Sequence, residues 1–264
     1  MRAYRDEANL PSEIGSELGT LTRGSIMMTS PAGMFCMNDA KERFWKIFFE
    51  LYEALPRQGP GNRACTMKAL SLCRELPPSP AVLDLGCGNG DLLYILKQEK
   101  GVHGTGIELA EAKVARCIER GLTVLQGDFQ QEVHDYPDGS FDYVILSQTL
   151  QQVMAPRELI PELLRIGRRV IVSFPNFGHW LVRLQVLCTG HAPVTDQLPY
   201  EWYDTPNIRV ITINDFKRFL RMSGVRLARE VAINTHHHDR EGHIISWLTN
   251  LRATYGIMML ERPA

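Results

Sequence analysis

The chain has 264 residues, 44% apolar and 22% charged, with 21 glycines and 15 prolines, a composition typical of ordinary globular proteins and far from fibrous or disordered chains. Lys and Arg number 29 against 30 Asp and Glu, a net charge of -1 without any long basic run, so the electrostatic footprint of a nucleic-acid binder is missing. No apolar stretch approaches the roughly 18 to 20 residues of a membrane span, no signal-peptide core opens the chain, and its 6 cysteines form no CxxC pair, which together predict a cytoplasmic protein with reduced thiols.

Residues 1–33 mix Gly, Ser, Thr and Pro with scattered charges and no period, which predicts a poorly ordered or surface-draped segment. Phe44, Ile47, Phe48, Leu51, Tyr52 and Leu55 then recur at helical spacing, with Asp39 and Glu42 suited to the cap and Pro56 to the stop. A second helix is expected at 63–76, before Pro77, Pro78 and Pro80. From residue 81 short apolar runs alternate with amphipathic stretches, the pattern of a parallel sheet with crossover helices. Strands are expected at 81–85, 102–107, 123–126, 143–146, 169–174, 226–233 and 255–260, and helices at 90–98, 111–120, 156–166, 180–188 and 213–222. The connection 190–209 is long, proline-punctuated and rich in aromatics (Tyr200, Trp202, Tyr203), as functional lids and partner surfaces often are.

The most informative stretch is Val82-Leu83-Asp84-Leu85-Gly86-Cys87-Gly88-Asn89-Gly90-Asp91, three glycines between a buried strand and a helix. Glycine allows a tight turn and lets a ligand approach main-chain N–H groups that a Cβ would screen. The GxGxG spacing departs from the GxGxxG of a pyrophosphate loop and favours a nucleoside ligand that lacks one. Glu108 closes the second strand about 20 residues further on, where a carboxylate can accept both ribose hydroxyl hydrogens. After the third strand, Asp128 is placed to accept from an adenine amino group while Phe129 covers the ring. Open parallel sheets bind ligands at the carboxyl ends of their strands, so these loops belong to one edge.

The set from Val82 to Leu146, with Asp84, Gly86, Gly88, Gly90, Glu108, Asp128 and Phe141-Asp142-Tyr143-Val144, resembles class I methyltransferases that use S-adenosylmethionine (SAM). That resemblance implies an α/β Rossmann-like fold: a seven-stranded, mostly parallel sheet with an antiparallel last strand and helices on both faces. It also implies that Gly86, Gly88 and Gly90 line the methionine end of SAM, that Asp84 supports the loop, and that Glu108 and Asp128 hold ribose and adenine. Phe129 and Ser147 complete the expected cofactor set, whose product would be S-adenosylhomocysteine. Asp142 to Gln151, Ser173 to Trp180 and Leu198 to Ile208 further resemble the methionine biosynthesis protein MetW family over about 81–260. Leu55-Pro56-Arg57-Gln58-Gly59-Pro60-Gly61 with Ala69-Leu70-Ser71-Leu72 instead resembles the N-terminal lid of other small-molecule methyltransferases. The expected organisation is thus a segment 1–33, a helical cap at 34–80 and a SAM-binding domain at 81–264.

Methyl transfer needs positioning first, and a base only where the acceptor must lose a proton. Ser147-Gln148-Thr149-Leu150-Gln151-Gln152 offers hydrogen-bonding groups and no strong base, and the Asp/Asn-Pro-Pro-Tyr motif of amine methylation is absent. His179 is the candidate general base, with Asn176 and Tyr203 as orienting groups; its competing reading is a cap for the next helix or packing under Trp180. Tyr200, Trp202 and Tyr203 read as either an acceptor cage or interface anchors. His236-His237-His238-Asp239 with His243 lacks a second cluster to complete a four-ligand site and is read as a hairpin loop, with no metal expected. The resemblance implies methyl transfer to a small molecule in methionine biosynthesis. Its alternative is a noncatalytic SAM-binding partner of homoserine O-acyltransferase, and the chain has no GxSxG acyltransferase elbow of its own.

Overall fold

In the computed structural model, which describes Ser71 and residues 78–195, 197–235 and 242–262, the first strand is β1 (Ala81–Leu85). It is followed by α1 (Asp91–Lys100), β2 (His103–Glu108), α2 (Glu111–Glu119), β3 (Thr123–Gln126), α3 (Phe129–Glu132) and β4 (Phe141–Ser147). Then come α4 (Pro156–Ile166), β5 (Gly167–Pro175), α5 (Trp180–Thr189), α6 (Ile213–Met222), β6 (Arg226–Asn234), β7 (His243–Ile244), α7 (Thr249–Arg252) and β8 (Tyr255–Glu261). The predicted segment 1–33, the cap at 34–80 with helices 44–55 and 63–76, and the run 236–239 lie outside the described residues, save Ser71 and 78–80.

The strands form one 8-stranded sheet in the order β3-β2-β1-β4-β5-β8-β6-β7. β1 to β5 are mutually parallel, and the last strand, β8, runs antiparallel between β5 and β6, as expected. The count of seven strands is corrected to eight by β7, whose His243 and Ile244 pair with Asn234 and Ile233 at the end of β6. Two residues carry no alternation, and this pairing exists only because β6 presents an open edge. The single-turn helices α3 and α7 escape prediction for a related reason, being too short to show a 3.6-residue period.

Strand alternation sends each sequence to two faces. Leu83, Leu85, Val144, Leu146, Val170, Val172 and Phe174 bury against Leu159, Ile160 and Leu163 of α4 and Ile213, Phe216 and Leu220 of α6. The alternate residues Val82, Tyr143, Ile145, Ile171 and Ile257 bury on the other face with Leu92 and Leu96 of α1. Helices thus cover both sides, and the carboxyl ends of β1 to β5 come together along one edge. No helix among the described residues is long and apolar enough to cross a membrane.

Candidate functional site

The glycine loop is tied down by its neighbours. Gly86 and Cys87 both donate to the Ile107 carbonyl, at 2.8 and 3.2 Å, which holds the turn against the end of β2. Gly86, Gly88 and Gly90 have φ of 67, 58 and 74°, the left-handed region that favours glycine. Gly90 is enclosed: a Cβ there would lie 2.4 Å from Leu122 and 2.9 Å from the Cys117 sulfur, so the start of α1 fits only without a side chain. Gly88 is the opposite, since a Cβ there would meet nothing within 4 Å. Its exclusion is conformational, and its open side is available to a ligand.

Glu108 ends β2 and is 6% exposed, yet its carboxylate is engaged. Oε2 accepts the Gly88 N–H at 2.8 Å, Oε1 accepts the Ala110 N–H at 3.1 Å, and Lys113 Nζ lies 4.0 Å away. The predicted sugar-binding acid is therefore also the support of the glycine loop. A carboxylate has about four lone-pair sites, so these bonds leave capacity on each oxygen for a hydroxyl donor. Asp84, expected to support the loop, is 2% exposed, and burial followed by the nearby Glu108 charge pushes its pKa up to about 8. Burial likewise pushes the Cys87 and Cys117 thiols upward, and Cys117 points its sulfur at the Gly88 carbonyl, 3.3 Å away. Both stay protonated packing groups and not nucleophiles.

Strand pairing brings the third loop alongside, because Glu108 is in register with Gln126 and Gly127 donates to the Glu108 carbonyl at 3.1 Å. Asp128 is half-buried and caps α3, its Oδ1 accepting the Gln130 N–H at 2.9 Å, so one of its oxygens is occupied by the helix it starts. Phe129 is half-buried too and leans on the main core. After β4, the hydroxyls of Ser147 and Ser173 lie 3.2 Å apart. Thr149 lies under Gly86, where a Cβ would meet its Oγ1 at 2.9 Å.

Beside Ser147, two of the hydrogen-bonding groups in the run 147–152 have surroundings that the sequence did not reveal. Gln148 has φ of 56°, uncommon for a non-glycine residue, and is held there by its N–H to the carbonyl and hydroxyl of Ser173 at 3.0 and 3.1 Å. Gln151 is fully buried and donates Nε2 to the Gln148 carbonyl at 2.7 Å; a carbonyl only accepts, which fixes the orientation of that amide. Its Oε1, and that of Gln148, are buried without a hydrogen-bond partner among the described residues. Such orphaned acceptors are costly in a fold that owes them nothing, and they cluster where ligands supply donors. A left-handed glutamine leaves no trace in a local sequence pattern.

The loop after β5 is committed to structure. Asn176 is 2% exposed and fully used: Nδ2 donates to Asn250 and Ala253 carbonyls at 3.0 and 2.8 Å, and Oδ1 accepts from Gly178 and Ile213 at 3.0 and 3.2 Å. It clasps the ends of β5, α6 and α7, so it is not available to orient His179. His179, 8% exposed, begins α5 with Nδ1 accepting the Leu181 N–H at 3.4 Å, its ring centroid 5.8 Å from that of Trp180. Trp202 and Tyr203 are 74% and 70% exposed and pack edge-on against each other at 5.7 Å, which is no enclosed cage.

Comparisons with known proteins agree with this fold. A bifunctional methionine biosynthesis protein MetXA/MetW of Rhodopirellula baltica is 35% identical over 181 residues, covering 65% of this chain and 29% of the relative. The chain thus spans less than a third of that relative's length. A SAM-dependent methyltransferase from Archaeoglobus fulgidus superimposes with a TM-score of 0.56 at 14% identity, covering 83% of this chain and all (100%) of the other. Magnesium protoporphyrin IX methyltransferase of Synechocystis, solved with bound S-adenosylhomocysteine, gives 0.50 at 20% identity, with 75% and 83% coverage. These likenesses establish the fold. The family model for methionine biosynthesis protein MetW matches residues 68–260, all of the sheet but its last residue and the loops along its carboxyl edge, and the chain belongs to the MetW family.

Proposed function

We propose that this chain binds SAM at the carboxyl edge of its sheet and transfers a methyl group to a small-molecule acceptor in the cytoplasm, within methionine biosynthesis. The carrying observation is the Glu108 carboxylate bonded to the Gly88 N–H beside a glycine whose outer side is open. The residues present fit the cofactor: Glu108 for the ribose, Asp128 and Phe129 for the adenine, Ser147 and the glycine loop for the methionine end. The Gln148 and Gln151 oxygens offer acceptors to an amino group. SAM when bound supplies an electrophilic methyl on a sulfonium. The chain's own part is to bind, orient and exclude water, and buried carboxylates at this edge favour a cationic ligand.

His179 is a weaker candidate as base. While Nδ1 accepts from Leu181, a neutral ring carries its proton on Nε2 and can only donate there. Base catalysis by His179 would require that cap to open, so the favoured mechanism is positioning of an acceptor that needs no strong base.

Calorimetry with SAM and S-adenosylhomocysteine tests the binding reading. Glu108→Ala removes the ribose acceptor and the loop support together, and the expected loss is on the order of 1.5 to 3 kcal/mol. Binding equal to wild type would remove Glu108 from the site. A screen for label transferred from methyl-labelled SAM into a metabolite pool then tests catalysis.

A second reading, a noncatalytic SAM-binding partner of homoserine O-acyltransferase, is favoured by a different observation. α5 exposes Trp180, Leu181, Leu184, Val186 and Leu187, an apolar surface beyond what a solvated helix carries, and the name of one relative joins MetXA to MetW in a single protein. Co-purification with the acyltransferase, SAM-dependent acylation and no labelled metabolite would decide for it.

A further inference from the structure

At the sheet edge away from the glycine loop, strand pairing gathers arginines. Register aligns Glu261 of β8 with Arg169 of β5 on one side and Arg226 of β6 on the other. One carboxylate is therefore shared by two guanidinium groups: Arg169 Nε donates to Oε1 at 2.8 Å and Arg226 contacts Oε2. Arg169 also donates to the Tyr143 hydroxyl at 2.8 Å. Arg262 turns back to the Leu164 and Arg165 carbonyls at the end of α4. Arg168 is exposed, and its side chain forms no hydrogen bond or ion pair among the described residues. These side chains, with Gly139 and Gly167, line a cleft of about 580 Å³.

Among the described residues the cleft is thus lined by four arginines and one carboxylate, in a chain whose overall charge is -1: Arg169 and Arg226 pair with Glu261, and Arg262 is bonded to main-chain carbonyls. Gathering like charges in a concave site is unfavourable unless an anion answers them, and the concavity concentrates their field. Arg168 and Arg226, whose side chain is 61% exposed, retain N–H donors pointing at solvent. A planar fork of donors matches two oxygens of a phosphate or a carboxylate. The volume falls in the range of small-molecule sites, roughly 300 to 1,000 Å³, whereas a flat basic surface would suit a macromolecule.

We infer that this cleft is an anion site for a small molecule carrying phosphate or carboxylate groups, held by Arg168 and Arg226 over the Arg169–Glu261 pair. It lies at the amino ends of β4 and β5, across the sheet from the cofactor edge, and does not depend on the SAM reading.

Titration calorimetry of the full chain with inorganic pyrophosphate, and separately with citrate, tests it, using chloride to match ionic strength. One anion should bind with a stoichiometry of one and a Kd of about 1 mM or tighter. Arg168→Gln should weaken binding about tenfold and leave the melting temperature and S-adenosylhomocysteine affinity unchanged, because the exposed Arg168 side chain makes no hydrogen bond or ion pair among the described residues. Arg226→Gln should weaken it similarly. Preference for pyrophosphate identifies a phosphate ligand, and preference for citrate a carboxylate. No heat above the chloride control for either anion, or binding indifferent to the double substitution, overturns the inference.

Discussion

Asp84 joins local chemistry to a measurable pH response. Its carboxyl is buried on β1, and its folded pKa of about 8 lies above the ordinary value of 3.8, so the folded chain holds a proton there that the unfolded chain loses between those values. Stability from this group is therefore present below pH 4 and falls as pH rises toward 8. A cationic ligand reverses the preference by favouring the ionised carboxylate. SAM affinity is expected to rise from pH 6 to pH 8 by no more than about tenfold per unit, with proton release seen by calorimetry in buffers of different ionisation enthalpy. Asp84→Asn should flatten that slope, and an unchanged slope would assign it to another group. His179 gives a contrasting prediction. As a helix cap its loss in His179→Ala should cost about 0.5 to 2 kcal/mol in denaturant unfolding and leave cofactor affinity intact. A large loss of SAM affinity with stability unchanged would instead place it in the site.

The elements differ in how openly the sequence announces them. α4 carries Leu159, Ile160, Leu163 and Leu164 at three- and four-residue spacing, opens with Pro156 in its first turn and buries these four side chains, with Ile166, in the core against the sheet. Its predicted and observed bounds coincide. Leu163 is fully buried, and Leu163→Ala should cost about 2 to 5 kcal/mol in unfolding free energy, against a near-neutral result if the contacts were loose. α6 is equally legible because burial of Ile213, Phe216 and Leu220 on one face imposes a period, and the observed bounds of β1 and β3 also coincide with the expected ones. α5 is the exception: a helix is expected and found from Trp180, yet despite Leu181, Leu184, Val186 and Leu187 its one buried residue is Val182. Its helical character was readable and its burial was not, since a helix with apolar residues on several sides does not say which side meets the sheet.

Taken whole, the described molecule is a sheet with two chemically opposite edges. Carboxylates gather at the carboxyl ends of β1 to β3, and arginines gather at the amino ends of β4 and β5 with β6 and the end of β8. Ligand binding to the folded state alone should raise its stability: SAM at 100 times its Kd is expected to add about 2.7 kcal/mol, visible as a higher melting temperature, and no shift would argue against a specific site. The sequence by itself determined the order of the longer strands and helices and pointed to the sheet edge, because apolar period, glycine spacing and acidic residues at strand ends are local in the chain, while the strings at 142–151, 173–180 and 198–208 carried the resemblance to the family. Asp84, the glycines, Glu108 and Asp128 were nameable for that reason. Only the tertiary structure decided that Glu108 holds the Gly88 amide, that Gln148 and Gln151 present orphaned oxygens, that Asn176 is a clasp, and that Arg168, Arg169, Arg226 and Arg262 share a cleft with Glu261. Each of these depends on strand register between segments distant in the chain, and pairing energy between remote strands has no signature in the neighbours of any one residue.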